Sequence, residues 1–155
     1  MNALDLREAR VDEAAQLSAL AVRSKAAWGY SEDFLLACRA ELELAPATVK
    51  AGLSFVAEER GSATPLGFGS LDPIDGRVED LLHLFVEPRA FRRGVGRALV
   101  SHATALAREM GRRVMTIQAD PNAALFYEAL GARRVGELES DSIAGRMLPL
   151  FELRL

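Results

Sequence analysis

Apolar and polar positions alternate at the start of the chain. Leu4 and Leu6 are set off by Asp5 and Arg7, the period of a strand with one covered face. From Asp12 the period lengthens. Ala14, Leu17, Leu20 and Ala21 fall at helical spacing, and the pattern runs to about Lys25. Trp28-Gly29-Tyr30 interrupts it. Ser31 suits the cap of a second helix holding Phe34, Leu35, Cys38 and Leu42. Pro46 closes that helical region, with a short turn or helical fragment over 48–52. Residues 53–58 and 66–71 read as strands joined by a polar loop, and Asp72-Pro73-Ile74-Asp75-Gly76 is rich in turn formers.

Residues 78–86 are almost wholly apolar toward their end, which predicts a central strand covered on both faces. Pro88 has no N–H to give a ladder and ends it. Val95, Leu99, Ala103, Leu106 and Met110 then share one helical face, and Gly111 stands where a C-terminal cap belongs. Residues 114–119 read as a strand one helix later, so a right-handed parallel connection back to 78–86 is expected. Asp120 and Pro121 fit the cap and first position of another helix, which ends at Leu130-Gly131. Strands over 133–137 and 148–153, separated by a loop over 139–146, complete the order β-α-α-β-β-β-α-β-α-β-β. With no repeat, linker or low-complexity tract, one domain over 1–155 is expected.

Half of the residues are hydrophobic and 26% are charged, an ordinary globular balance able to fill a core at this length. The net charge of −3 argues against a duplex nucleic-acid binder, so the arginines around position 92 suit a small anion instead. Cys38 is the single cysteine, which excludes an internal disulfide and a cysteine-rich metal site. His83 and His102 stand at no familiar metal-ligand spacing from the carboxylates, so no metal is expected. Residues 1–7 lack the basic start and apolar core of a signal peptide, and no apolar run reaches membrane-spanning length. A soluble, cytoplasmic protein without a membrane partner is the expectation. The oligomeric state stays open, a homodimer included.

Chemistry concentrates between Val86 and Leu99. Gly94 and Gly96 remove two Cβ atoms where a helix begins. First-turn amides have no intrahelical partners and the helix dipole favours an anion there, so a phosphate can sit against bare backbone. Arg92, Arg93 and Arg97 supply guanidinium groups suited to phosphate oxygens. A tight turn with a solvated arginine face is the plainer alternative. Leu99 stands where a dinucleotide fingerprint needs its third glycine, and no Gly-Lys-Ser/Thr follows, so neither nucleotide motif applies.

The stretch from Pro88 to Leu99 resembles the acyl-CoA-binding motif of the GNAT superfamily of N-acyltransferases, Gln/Arg-x-x-Gly-x-Gly/Ala, with Phe91 in the first position. Residues 120–132 are similar to a second segment of that family, with Asn122, Phe126-Tyr127 and Gly131 at matching positions. The resemblance implies an α/β fold: a mixed, mostly antiparallel sheet with one parallel strand pair and helices on both faces. It implies acetyl transfer from acetyl-CoA to a primary amine of a small molecule or peptide, by direct attack in a ternary complex. The alternative is a non-catalytic acyl-CoA sensor, which would need neither Tyr127 nor a base.

The residues that the resemblance assigns to the donor are the backbone of Leu84, Phe85 and Val86, then Arg92, Arg93, Gly94, Val95, Gly96, Arg97 and Ala98, and Asn122. Tyr127 matches the family tyrosine at the thioester sulfur; read without the family, it is an amphipathic core residue. For the base, family members use an acidic residue on the strand before the loop, or water. Asp80 is favoured, then His83, with Glu79 as a further choice. Under strict alternation Asp80 shares a face with Leu82 and Leu84, and Glu79 shares one with Leu81 and His83; a bulge would exchange these faces. Trp28 and Tyr30 are expected to line the acceptor side, with a plug at the core edge as the plainer role for Trp28.

Overall fold

A computed structural model describes residues 3–72 and 76–155, so the turn expected at 73–75 lies outside the described residues. Seven strands form one sheet in the order β1 (Leu4–Glu8), β2 (Ser54–Glu59), β3 (Pro65–Leu71), β4 (Val78–Val86), β5 (Val114–Gln118), β7 (Met147–Arg154) and β6 (Arg133–Glu139). Every neighbouring pair is antiparallel except β4 and β5. The helices are α1 (Ala14–Ala26), α2 (Glu32–Ala37), α3 (Arg39–Leu42), α4 (Pro46–Lys50), α5 (Val95–Glu109) and α6 (Ala124–Ala129). None of these is long and apolar enough to cross a membrane.

Alternation along the strands divides the core in two. Phe55, Ala57, Leu81, Met115 and Phe151 pack under Val95, Leu99, Ala103 and Ala107 of α5. Val56 and Phe68 pack on the other face against Leu17, Leu20 and Ala21 of α1, with Cys38 and Leu42. Cys38 is fully buried, as a free cysteine usually is. The single second helix expected from Ser31 breaks there: Cys38 leaves helical geometry at ψ 0°, giving α2 and α3. Ser31 does cap α2, its hydroxyl accepting from the Phe34 amide. Pro46 opens a further short helix as well as closing the preceding one, its fixed φ suiting the first helical position.

Two local features set the centre of the sheet. First, β4 carries a bulge. Ser70 faces His83 but Leu71 faces Leu81, so Leu82 is the extra residue. The bulge exchanges faces: Leu81 and Leu84 both lie on the α5 side, while Phe85 packs on the α1 side. Second, the parallel ladder is short. Val78, Glu79 and Asp80 face Val114, Met115 and Thr116, and beyond this β4 and β5 part. Gly67 on β3 lets α5 lie close over this region. A Cβ there would stand 2.8 Å from the Phe85 carbonyl oxygen and 3.0 and 3.1 Å from methyl groups of Leu99 and Val95.

Candidate active site

The parting of β4 from β5 opens a cavity of about 570 Å³ lined by Leu84, Phe85 and Val86 on one side and by Ile117, Gln118 and Ala119 on the other. Past Asp80, the β4 backbone groups that face β5 have no strand partner. They are free to pair with an extended ligand, the chemistry of strand addition.

The loop before α5 brings unpaired amides and arginines to this cavity. Arg92 and Gly94 both take positive φ, 62° and 83°. Gly94 is the N-cap of α5, and the first amide that returns to the helix is that of Ala98, which donates to the Gly94 carbonyl. The amides of Val95, Gly96 and Arg97 are therefore left for an outside acceptor. Arg92, Gly94, Val95, Gly96 and Arg97 line the cavity; Arg93 and Ala98 do not. Arg92 and Arg97 are exposed and make no ion pair among the described residues. The two glycines do different work. A Cβ on Gly94 would meet nothing within 4 Å, so its positive φ is the requirement there. A Cβ on Gly96 would stand 3.1 Å from two ring carbons of Phe126, so Gly96 lets α6 close against α5. These residues suit an acyl-CoA: bare helix amides and arginines for phosphates, and an unpaired strand edge for an amide-bearing arm.

Tyr127 follows Phe126 and lines the same cavity at 6% exposure. Its ring packs against Phe126 and Phe151, and its hydroxyl has no hydrogen-bond partner among the described residues. Burial, with a smaller contribution from the Asp120 charge, pushes its pKa up, so the phenol keeps its proton.

Asn122 also lines the cavity, but it belongs to a cluster that sequence reasoning missed. Asp120 accepts from Lys25 Nζ at 2.9 Å, from the Tyr30 hydroxyl at 2.9 Å and from the Asn122 amide at 2.8 Å. Arg146 Nη2 and Asn122 Nδ2 donate to the Tyr30 oxygen at 2.8 and 3.0 Å. Burial pushes the Asp120 carboxyl up, but the Asn122 amide, Lys25 and Tyr30 outweigh it and hold it below its ordinary value. Tyr30 stacks on Phe34 with centroids 4.2 Å apart and lines neither cavity described here, so it braces the loops instead of presenting a free wall.

A second cavity of about 390 Å³ adjoins the first, sharing Glu41, Leu81, Leu82, Gln118 and Leu148. Its lining includes Glu41, Glu43, Asp80 and Asp141 and no lysine or arginine. Asp80 lies here, half-buried. Burial, then the neighbouring Asp72 charge, raises its pKa. Glu79 points to the opposite face, fully buried, with Arg112 at 3.6 Å.

His83 also lines the second cavity, and its hydrogen bonds bear on its expected role as base. Nε2 is 3.1 Å from the Glu43 carbonyl, which can only accept, so Nε2 carries the proton. Nδ1 then accepts from the Ser70 hydroxyl at 2.6 Å. Both ring nitrogens are engaged, and burial holds the pKa below its ordinary value. His83 ties β4 to the segment after α3. Glu41, which no strand pattern pointed to, is the carboxylate that lines both cavities.

A mixed sheet whose central parallel pair splays beside a glycine-bearing helix start is the architecture of an acyl-CoA N-acyltransferase. The comparisons agree. Residues 50–131 match the acetyltransferase (GNAT) domain family. The chain is 33% identical over 153 residues to the peptidyl-lysine N-acetyltransferase YjaB of Escherichia coli, covering 97% of this chain and 95% of that protein. The GCN5-related N-acetyltransferase structure from Rhodopseudomonas palustris superposes with a TM-score of 0.78 at 27% identity, over 100% of this chain and 98% of that one. The PaiA N-acetyltransferase of Thermoplasma acidophilum, solved in complex with coenzyme A, shares the fold at 17% identity and a TM-score of 0.76, over 99% of each chain. This chain belongs to the GNAT acetyltransferase family.

Proposed function

We propose that the protein transfers an acetyl group from acetyl-CoA directly to a primary amine, with donor and acceptor bound together in the two adjoining cavities. The observation that carries this is their junction. The cavity with the phosphate cradle and Tyr127 meets, across the split between β4 and β5, a cavity lined by four carboxylates. An acyl-CoA binder without catalysis has no use for the second.

In this reading the thioester lies along Leu84, Phe85 and Val86, so the reacting carbonyl is held at fixed depth, the positional part of catalysis. Carboxylates of the second cavity attract a cationic amine and take the proton it must lose before attack. Glu41 lines both cavities and Asp80 only the second, which makes Glu41 the base to test beside Asp80. The amine nitrogen attacks the carbonyl carbon, the C–N bond forms, and the C–S bond breaks with its electron pair on sulfur. The nitrogen gives up two protons overall; one ends on the thiol and one leaves to solvent. A phenol above its ordinary pKa is a weaker acid than a thiol of about 8.5, so Tyr127 stabilises the developing thiolate as a hydrogen-bond donor. Cys38 lines neither cavity and its thiol pKa is raised by burial, which supports direct attack over a covalent relay.

The Escherichia coli relative is named for peptidyl-lysine, and an acid-lined cavity suits that ammonium as it suits a small cationic amine. The test is release of CoA thiol from acetyl-CoA over a panel of small amines and lysine-containing peptides. Turnover with cationic amines supports the reading. Tight acetyl-CoA binding with no turnover on any amine returns the protein to the sensor class.

A further inference from the structure

Trp28 does not line the acid-lined cavity. It lines the larger cavity and stacks on Phe91, with ring centroids 6.2 Å apart and planes 24° from parallel. Phe91 occupies the motif position where Gln or Arg is usual, immediately before the anion loop. A phenyl ring offers no donor to a phosphate or an amide, but it offers a face to Trp28. The end of α1 is joined to the same loop a second time, since Arg23 grips Glu87 through two bonds of 2.9 and 2.7 Å.

The stack leaves apolar surface uncovered. Trp28 remains 47% exposed, and 6.2 Å is toward the loose end of aromatic pairing. Both residues line the cavity with Arg92 and Gly94. The loop residues and Leu84, Phe85 and Val86 line the same cavity as both rings, so an arm that joins them shares it with the stack, and its methyl and methylene groups would cover what the stack leaves bare.

We propose that Trp28 and Phe91 form an aromatic clasp on the pantetheine arm of the acyl donor. This rests on the acyl-CoA reading above and moves Trp28 from the acceptor side, where the sequence placed it, to the donor side. Trp28 is the only tryptophan, so its emission reports on the clasp without labelling.

The experiment pairs calorimetry with tryptophan fluorescence, using acetyl-CoA and, separately, the phosphorylated ADP portion of coenzyme A alone. In the wild-type protein acetyl-CoA shifts Trp28 emission and the nucleotide portion does not. Trp28→Ala and Phe91→Ala each weaken acetyl-CoA about tenfold, ~1.4 kcal/mol, and the double variant little more, because the rings act as a unit. Trp28→Phe keeps most of the affinity and checks that the loss is not misfolding. The acceptor KM at saturating donor stays within about twofold, since neither ring lines the second cavity. Wild-type binding with unshifted emission and undiminished affinity in Trp28→Ala overturns the clasp and leaves the function standing. Equal losses for acetyl-CoA and the nucleotide portion overturn it in favour of adenine stacking. A wild-type protein that binds no acetyl-CoA overturns both.

Discussion

Gly96→Ala separates two reasons for a glycine in the anion loop. If the bare backbone serves only the phosphate, any Cβ weakens acetyl-CoA whatever surrounds it. The structure gives another reason: the added methyl stands 3.1 Å from two ring carbons of Phe126. Alanine gains about 0.8–1.0 kcal/mol in helix propensity at an interior position, and less in the first turn. Overpacking a filled site costs ~1–3 kcal/mol. The balance is a loss of about 0–2 kcal/mol, and at ~2–4 °C per kcal/mol for a chain of this size the Tm falls by up to ~8 °C. The loss is expected to be coupled. Phe126→Leu removes the ring carbons in question, so Gly96→Ala in that background costs less than alone. Chemical denaturation of the four proteins of this cycle gives the coupling, and calorimetry on the same four gives the acetyl-CoA affinity. Recovery of affinity in the double variant supports the packing account. Additive stability effects, with affinity lost equally in both backgrounds, refute it and return Gly96 to the phosphate.

Other outcomes follow from the same geometry. Tyr127→Phe lowers kcat by about 10- to 10³-fold with little change in acetyl-CoA KM, since the ring and its packing remain; a full-rate variant makes Tyr127 a core residue. Glu41→Gln and Asp80→Asn are compared by pH–rate profile, and the variant that removes the ascending limb identifies the base. His83 has a folded-state pKa below its ordinary 6.5, so its contribution to stability is present above about pH 6.5 and is lost as pH falls through the folded value. His102 is shifted the same way, so His83→Gln should flatten only part of the loss seen in melts between pH 7 and 5. Acetyl-CoA at ~100 times its Kd adds about 2.7 kcal/mol to stability, a Tm rise of ~5–11 °C, and no rise would deny binding.

The legible parts of the fold were those with local causes. The apolar run ending at Pro88 gave β4 its residues, and the glycine pair with arginines gave the loop, because strand ends and helix starts are written in adjacent side chains. Distant partners fixed what sequence left open. The bulge at Leu82 depends on β3, where Ser70 and Leu71 set the register, so alternation counted along β4 alone could not assign the faces of Asp80 and His83. Glu41 drew no notice in the sequence; the break at Cys38 starts the short helix that carries it to the wall of both cavities. Lys25 marked only where the pattern of α1 ends, whereas it is buried against a carboxylate 95 residues away.

The exceptions to ordinary folding rules gather in one place. Arg92 holds a positive φ that costs a side-chain-bearing residue about 1–3 kcal/mol. The parallel ladder stops after three residue pairs although both strands continue. Among the described residues the Tyr127 hydroxyl has no hydrogen-bond partner, and a buried ammonium is paired with a half-buried carboxylate at the cavity wall. Each defect has a simple repair in sequence: glycine at 92, a longer ladder, phenylalanine at 127, an apolar pair for Lys25 and Asp120. In our reading they are absent because an acyl-CoA supplies the missing partners: phosphates for the loop amides, amides for the β4 edge, sulfur for the phenol. The Lys25–Asp120 pair is of another kind, since its charges already satisfy each other. Through Tyr30, Asn122 and Arg146 it ties the loop before α6 to the end of α1 and to the residue before β7. A buried ion pair adds little net stability but is costly to break from one side, so this one fixes the wall of the larger cavity more than it stabilises the fold.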